Sequence, residues 1–139
     1  MTWWLYALAS ALAASATAIL AKLGIAGVPS NLATAVRTAV VLVFAWSIVL
    51  ATGEHQLLRD LKGRSLLFLV LSGIATGISW LAYFKALQLA PASRVAPIDK
   101  VSLAFTIVLA AVVLGESISW KVALGAGLMV AGALLTLTG

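Results

Sequence analysis

Five long stretches of this sequence contain almost no charged residues, and this pattern restricts the fold more than any other feature. The stretches are about 3–22, 32–51, 65–89, 95–114 and 120–138, and each holds at most two charged residues. About 20 residues of α-helix, rising 1.5 Å each, cross the ~30 Å hydrocarbon layer of a bilayer. We therefore predict an all-α membrane protein, a five-transmembrane-helix bundle that forms a single domain over residues 1–139.

The composition supports a membrane location and excludes several other classes. Charged residues make up 9% of the 139 residues and hydrophobic residues 63%, whereas a soluble domain is about 25% charged. The net charge of +5 comes from basic residues scattered between apolar stretches, which indicates topology signals and not a nucleic-acid site. The chain has no cysteine, so disulfides and thiolate metal sites are excluded. We find no catalytic constellation and expect neither an enzyme nor a cofactor or metal.

The first apolar stretch is predicted to be a helix and not a cleavable signal. A signal peptide carries positive charge before its apolar core, but residues 1–21 contain none. Trp3, Trp4 and Tyr6 instead resemble an aromatic anchor at the membrane interface.

Two of the predicted helices are too short to keep all their charges in water. The uncharged stretches 38–53 and 101–115 contain 16 and 15 residues and reach only about 22 to 24 Å. Arg37 and the pair Asp99 and Lys100 are therefore drawn into the membrane margin. Because helix direction alternates, the charged ends of four helices lie on one side of the bilayer. We call this group the charged layer; it consists of Lys22, Arg37, Lys85, Asp99 and Lys100.

The charged layer indicates a solute-binding function. Ionisable groups inside a membrane usually face a bundle interior or a water-filled cavity. We expect Asp99 to pair across the bundle with Arg37 or Lys85, which leaves net positive charge and favours an anionic or zwitterionic metabolite. The alternative for Lys22 and Lys85 is that they extend to the lipid headgroups.

Polar side chains on the third and fourth helices predict the lining of a cavity. Hydroxyl groups recur at helical spacing on one face of the third helix, beside two glycines, Trp80 and Phe84, and the fourth helix has a similar stripe. The alternatives are helix–helix hydrogen bonds for Ser and Thr, and close packing for Gly73 and Gly77. The two stripes are Ser72, Thr76, Ser79 and Tyr83, and Asp99, Ser102 and Thr106. The candidate substrate-binding residues are Arg37, Ser79, Trp80, Tyr83, Lys85, Asp99, Lys100 and Ser102.

Two further helix features have a predicted role. Pro97 lacks an N–H group, so it either opens the fourth helix or breaks it near Asp99. Gly125, Gly127 and Gly132 let the fifth helix approach another helix closely, and we expect that helix to form an interface.

Several of these residues also resemble a known family, the EamA-type repeat of the drug/metabolite transporter superfamily. The similarity lies in ALQLAPAS at 86–93, RVAPIDK at 94–100, Leu114-Gly115-Glu116 and LGAGLMVAG at 124–132. Most relatives carry two such repeats, ten helices in all, and move metabolites or drugs through a central cavity. The resemblance implies a secondary transporter for a small molecule, working by alternating access in the inner membrane of a bacterial-type cell.

This chain has one repeat where most relatives have two, which predicts a dimer. In fused relatives the two repeats are inverted, so two copies of this chain would have to insert in opposite orientations. The sequence allows this, because one side has four basic residues and the other five, a weak positive-inside signal. The four are Arg59, Lys62, Arg64 and Lys121; the five are Lys22, Arg37, Lys85, Arg94 and Lys100. We predict a dual-topology, antiparallel homodimer; the alternative function is a non-transporting membrane subunit that stabilises or regulates a partner.

Overall fold

The computed structural model describes residues 2–138, and all the regular structure in that range is helical. The described part of the chain forms six α-helices and one 3₁₀ helix. They are α1 (Trp3–Gly24), α2 (Ser30–Thr52), the 3₁₀ helix (Glu54–Asp60), α3 (Gly63–Leu89), α4 (Ala92–Asp99), α5 (Ser102–Leu114) and α6 (Trp120–Leu135).

Four helical stretches in the described residues are long and apolar enough to cross a membrane. They are α1, α2, α3 and the stretch Ala92–Leu114 that contains both α4 and α5, with 22, 23, 27 and 23 residues. The helix α6 is also apolar but has 16 residues, about 24 Å, so it is shorter than the hydrocarbon layer. The all-α membrane character is confirmed. The fourth predicted helix is one candidate span made of two helices, and α6 is shorter than the other spans, so the count of five membrane-spanning helices stays a prediction.

The interruption of the fourth stretch lies at Lys100 and Val101, directly after Asp99. Here the backbone hydrogen bonds tighten to the three-residue spacing of a 3₁₀ turn: the Lys100 N–H donates to the Pro97 carbonyl (3.1 Å) and the Val101 N–H to the Ile98 carbonyl (3.0 Å). Pro97 lies inside α4, where it has no N–H to give to the preceding turn. Of the two roles expected for Pro97, the structure shows an interrupted helix and not a helix start.

The start of α4 is earlier than the sequence indicated. Pro91 occupies the N-cap position in an extended conformation (φ −61°, ψ 144°), and α4 begins at Ala92 instead of Val95. A proline preceding the first turn needs no N–H partner there, so Pro91 is a better starting point than Pro97.

Glycines end two of the helices. Gly53 (φ 76°) and Gly115 (φ 69°) follow α2 and α5 in the left-handed conformation, which residues with a Cβ atom rarely adopt. At the start of α6, the Ser119 hydroxyl accepts a hydrogen bond from the Val122 N–H.

The chain divides into two compact units. The first contains the chain up to Lys22 and from Leu89 onward, and the second is Leu23–Gln88. The prediction of one domain over residues 1–139 stays a prediction.

In the first unit, α4 and α5 both pack against α6. The small side chains Ala18, Ala126 and Ala133 are buried there together with Val95. Small residues allow close helix contacts, which are the main source of helix association in lipid.

In the second unit, the buried side chains belong to α2, α3 and the segment between α1 and α2. Leu87, Phe84, Ile25 and Thr34 are 0 to 5% exposed. The Gln88 side chain donates a hydrogen bond (2.6 Å) to the carbonyl of Val28, so the end of α3 holds the turn before α2.

Most large apolar side chains along the helices are exposed. Leu12, Phe44 and Val112 are 74, 68 and 77% exposed, for example. In a bilayer this surface is in contact with lipid chains or another protein at little cost, because lipid is as apolar as the side chains.

Candidate functional site

Arg37 and Trp80 form a close contact between α2 and α3. The guanidinium carbon of Arg37 lies 4.1 Å from the centroid of the Trp80 ring and 5.5 Å from that of Phe84. Trp80 and Phe84 are four residues apart, so they lie on one face of α3. A cation this close to an aromatic face is attracted by the ring quadrupole. The two helices therefore hold the guanidinium in a defined place.

Arg37 belongs to the apolar length of α2 that is long enough to span a membrane. That helix has 23 residues, about 34 Å, and Arg37 is seven residues, about 10 Å, from its start at Ser30. A hydrocarbon layer of ~30 Å centred on such a helix would cover this position. Arg37 is also half-buried within the chain.

The two helices that hold Arg37 supply no counter-ion. The charged residues of α2 and α3 are Arg37, Arg64 and Lys85, all of them cations. Charges at membrane depth are normally paired or face water. The local charge around Arg37 on these two helices is therefore entirely positive.

The polar face of α3 is open. Tyr83 lies close enough to Arg37 to interact with it electrostatically, and Ser79 is exposed. A Cβ atom built on Gly73 or Gly77 would meet no heavy atom within 4 Å. Close packing of these glycines within the chain, the interpretation that their sequence context favoured, is therefore not what the structure shows.

The hydroxyl groups in the helices bond mostly to their own helix. Thr76 donates to the Ser72 carbonyl (2.9 Å), Thr106 to the Ser102 carbonyl (2.9 Å) and Ser47 to the Val43 carbonyl (2.8 Å). Such bonds to the carbonyl four residues earlier satisfy the hydroxyl without a second helix. These threonine and serine side chains thus need no polar partner in the membrane.

A second group of candidates lies at the interruption between α4 and α5. The Lys100 ammonium and the Asp99 carboxylate are 3.2 Å apart, with side chains 56 and 35% exposed. Asp99 therefore has a partner in its neighbour, because Lys100 lies outside the helix and can turn back to it. The expected pairing of Asp99 with Arg37 or Lys85 stays a prediction. Ser102 is exposed in the first turn of α5.

The two remaining lysines of the charged layer differ from each other. The Lys22 ammonium donates to the Ala90 carbonyl (2.9 Å), directly after the end of α3, where a cation is favourable. Lys22 therefore does not simply extend to the headgroups, whereas Lys85 is exposed.

The structure brings together Arg37, Trp80 and Tyr83, and separately Asp99, Lys100 and Ser102. Phe84 also contacts Arg37, although it was not among the candidate substrate-binding residues. Its position four residues after Trp80 on the same helix was the signal that could have identified it. Within residues 2–138 the structure shows no group of three or more His, Cys, Asp or Glu side chains able to hold a metal ion.

A mainly apolar surface follows Arg37 along α2. It is an open surface of this one helix, formed by Ala39, Val40, Val43, Phe44 and Ser47. Val40 lies three residues from Arg37, less than one helical turn. The apolar part of an amphipathic molecule could lie against this surface.

Replacing Trp80 by leucine should measure what the cation–π contact contributes. We expect Trp80→Leu to lower the free energy of unfolding by about 1 to 2 kcal/mol, because a half-buried guanidinium loses the ring that it lies over. The measurement is thermal unfolding of the purified protein in detergent. The matched control is Phe68→Leu, which removes the ring 5.9 Å from Arg64 at the exposed start of α3 and should change stability little. Equal losses in both variants would contradict a special role for Trp80.

Comparison with known proteins gives the family. The chain matches the EamA-like transporter family over residues 1–138. It is 47% identical over 134 residues to a Sinorhizobium protein named "Uncharacterized transporter in cobO 3'region", a match covering 96% of this chain and 95% of that protein. No solved structure matches the chain. With its long apolar helices, the chain therefore belongs to the EamA-like transporter family and is an integral membrane protein of the drug/metabolite transporter type.

Proposed function

We propose that this chain is one half of a secondary transporter that moves a small solute by alternating access. Family membership supports transport, and one observation supports the place where solute binds. Arg37, at membrane depth, lies over Trp80 on two helices that carry no carboxylate. A cation at this depth, with no carboxylate on its own two helices, is favourable only if it meets a polar or charged partner during the working cycle.

The solute is an anionic or zwitterionic metabolite. The cations Arg37 and Lys85 outnumber the acids on their helices, and at the α4–α5 interruption Lys100 neutralises Asp99. The hydroxyls and rings of Ser79, Trp80 and Tyr83 suit a small amphipathic molecule, since binding sites combine apolar walls with a few polar groups.

The working unit is an antiparallel homodimer with dual topology in the bacterial inner membrane. The Sinorhizobium relative matches this chain over 95% of its own length, so the two sequences have nearly the same length. The open face of α3, with free space around Gly73 and Gly77, is available to line a central cavity that a second copy closes. One side of the membrane has four basic residues of this chain and the other has five, so the charges specify the orientation of the chain only weakly.

Reconstitution tests this function. A thermal-shift screen of metabolites on the purified protein would select stabilising solutes, and flux of those solutes would be measured in proteoliposomes. We expect at least one carboxylate-bearing solute to be carried faster than in protein-free vesicles. Folded, reconstituted protein that binds such a solute but moves none would contradict the proposal and favour the non-transporting subunit.

A further inference from the structure

We infer that Arg37 binds the carboxylate group of the solute through the edge of its guanidinium, while Trp80 holds the guanidinium by one face. This inference rests on the proposed function, because it names the chemical group that the same site recognises. A guanidinium has five N–H donors that lie in its plane. Contact of its face with a ring leaves those donors free to bind a second molecule at the edge.

The first argument concerns the geometry of the donors. Arg37 contacts the rings of Trp80 and Phe84, and an aromatic ring offers its N–H groups no carbonyl or carboxylate oxygen. The side chain is half-buried, so part of it is accessible. A planar carboxylate fits two parallel N–H groups of arginine, whereas an ammonium group offers no acceptor at all.

The second argument concerns charge. In α2 and α3 no carboxylate is present to occupy the guanidinium, and Lys85, at the same end of α3 as Trp80, repels a cationic solute. In surroundings of low polarity an unpaired cation strongly favours an anion. The site should therefore discriminate a carboxylate from the uncharged amide group that replaces it, although the two molecules have nearly the same shape.

The third argument concerns the rest of the solute. The turns of α2 that follow Arg37 present an open, mainly apolar surface of four apolar residues and one serine. A solute whose carboxylate is at Arg37 meets mainly apolar side chains along this helix. The site is thus suited to amphipathic acids, such as amino acids or aryl-substituted acids with an apolar part.

The test is a binding comparison of matched pairs on the full-length protein in detergent. The pairs are leucine with leucinamide and phenylpropanoate with phenylpropanamide, and affinity is measured by calorimetry. We expect at least one acid to bind and its amide to bind at least about tenfold more weakly, because a charge-assisted bond is lost. Arg37→Gln should abolish this discrimination, and Arg37→Lys should restore only part of it. The control Arg64→Gln, an arginine over Phe68 at the other end of α3, should behave like the wild type.

Several outcomes would overturn the inference. These are wild-type protein that binds no acid of the panel, amides that bind as well as acids, or an Arg37→Gln variant that keeps the discrimination. A phospholipid headgroup is another source of an oxyanion, so the acids are also titrated with phospholipid added to the detergent. Loss of acid binding under that condition would assign Arg37 to lipid phosphate instead. Solute flux is measured separately. If the Arg37→Gln variant transports as well as the wild type, the inference is wrong but the proposed function stands. If the wild type binds acids but transports none, the proposed function is wrong but the inference stands.

Discussion

Arg37→Gln is expected to reduce solute flux in proteoliposomes by about 30-fold to 150-fold while the protein remains folded. The size follows from losing a charge-assisted hydrogen bond of about 2 to 3 kcal/mol to the bound solute. The fold should persist, since Arg37 contacts rings and forms no ion pair within α2 and α3. Flux and thermal unfolding are measured on the same preparation.

Controls separate binding from folding in this experiment. Arg64→Gln removes an equivalent arginine from the exposed start of α3 and should leave flux unchanged. Asp99→Asn, which breaks the pair with Lys100, should lower flux without preventing insertion. A non-transporting subunit would tolerate both Arg37→Gln and Asp99→Asn, so unchanged flux in these variants would remove the assigned site.

Forcing all copies into one orientation is expected to abolish transport, and mixing two opposite orientations should restore it. Arg59→Ala with Lys62→Ala lowers the basic residues on the loop side from four to two, against five on the other side. Glu54→Lys, His55→Lys and Gln56→Lys together raise them from four to seven. The positive-inside rule then orients the two variants oppositely.

The expected flux in vesicles is at least about tenfold below wild type for each charge variant alone, and close to wild type when both are co-expressed. The changed residues are exposed and belong to the 3₁₀ helix or its flanks, away from Arg37 and Trp80. Full activity of either variant alone would contradict an antiparallel dimer. The remaining explanations of transport would then be a parallel dimer or a partner protein of opposite topology.

The apolar stretches predicted the spanning helices because burial of backbone polar groups in lipid leaves helices as the main solution. The ends of these helices depended on the positions of proline residues, which the pattern of apolar stretches does not describe. Only Pro97 was considered as a possible start of the fourth helix, and Pro91 was not. The structure starts the helix after Pro91 and interrupts it after Pro97.

The sequence allowed individual residues of the candidate site to be selected, but it did not show which of them contact each other. Arg37 and Trp80 were each selected from the sequence, one for its charge at membrane depth and the other for its place on a polar face. Their contact joins residues 43 positions apart, so it depends on how α2 meets α3. The partner of Asp99 was missed because regular helix geometry turns adjacent side chains apart, whereas Lys100 lies in the interruption.

The orientation of the chain in intact cells tests the central claim, that two inverted copies form the transporter, most directly. The chain has no cysteine, so His55→Cys introduces a single thiol in the exposed 3₁₀ helix. A membrane-impermeant thiol reagent added outside should label about half of the copies, because dual topology places that loop on both faces. Labelling of every copy, or of none, in cells that show full transport would contradict the antiparallel dimer.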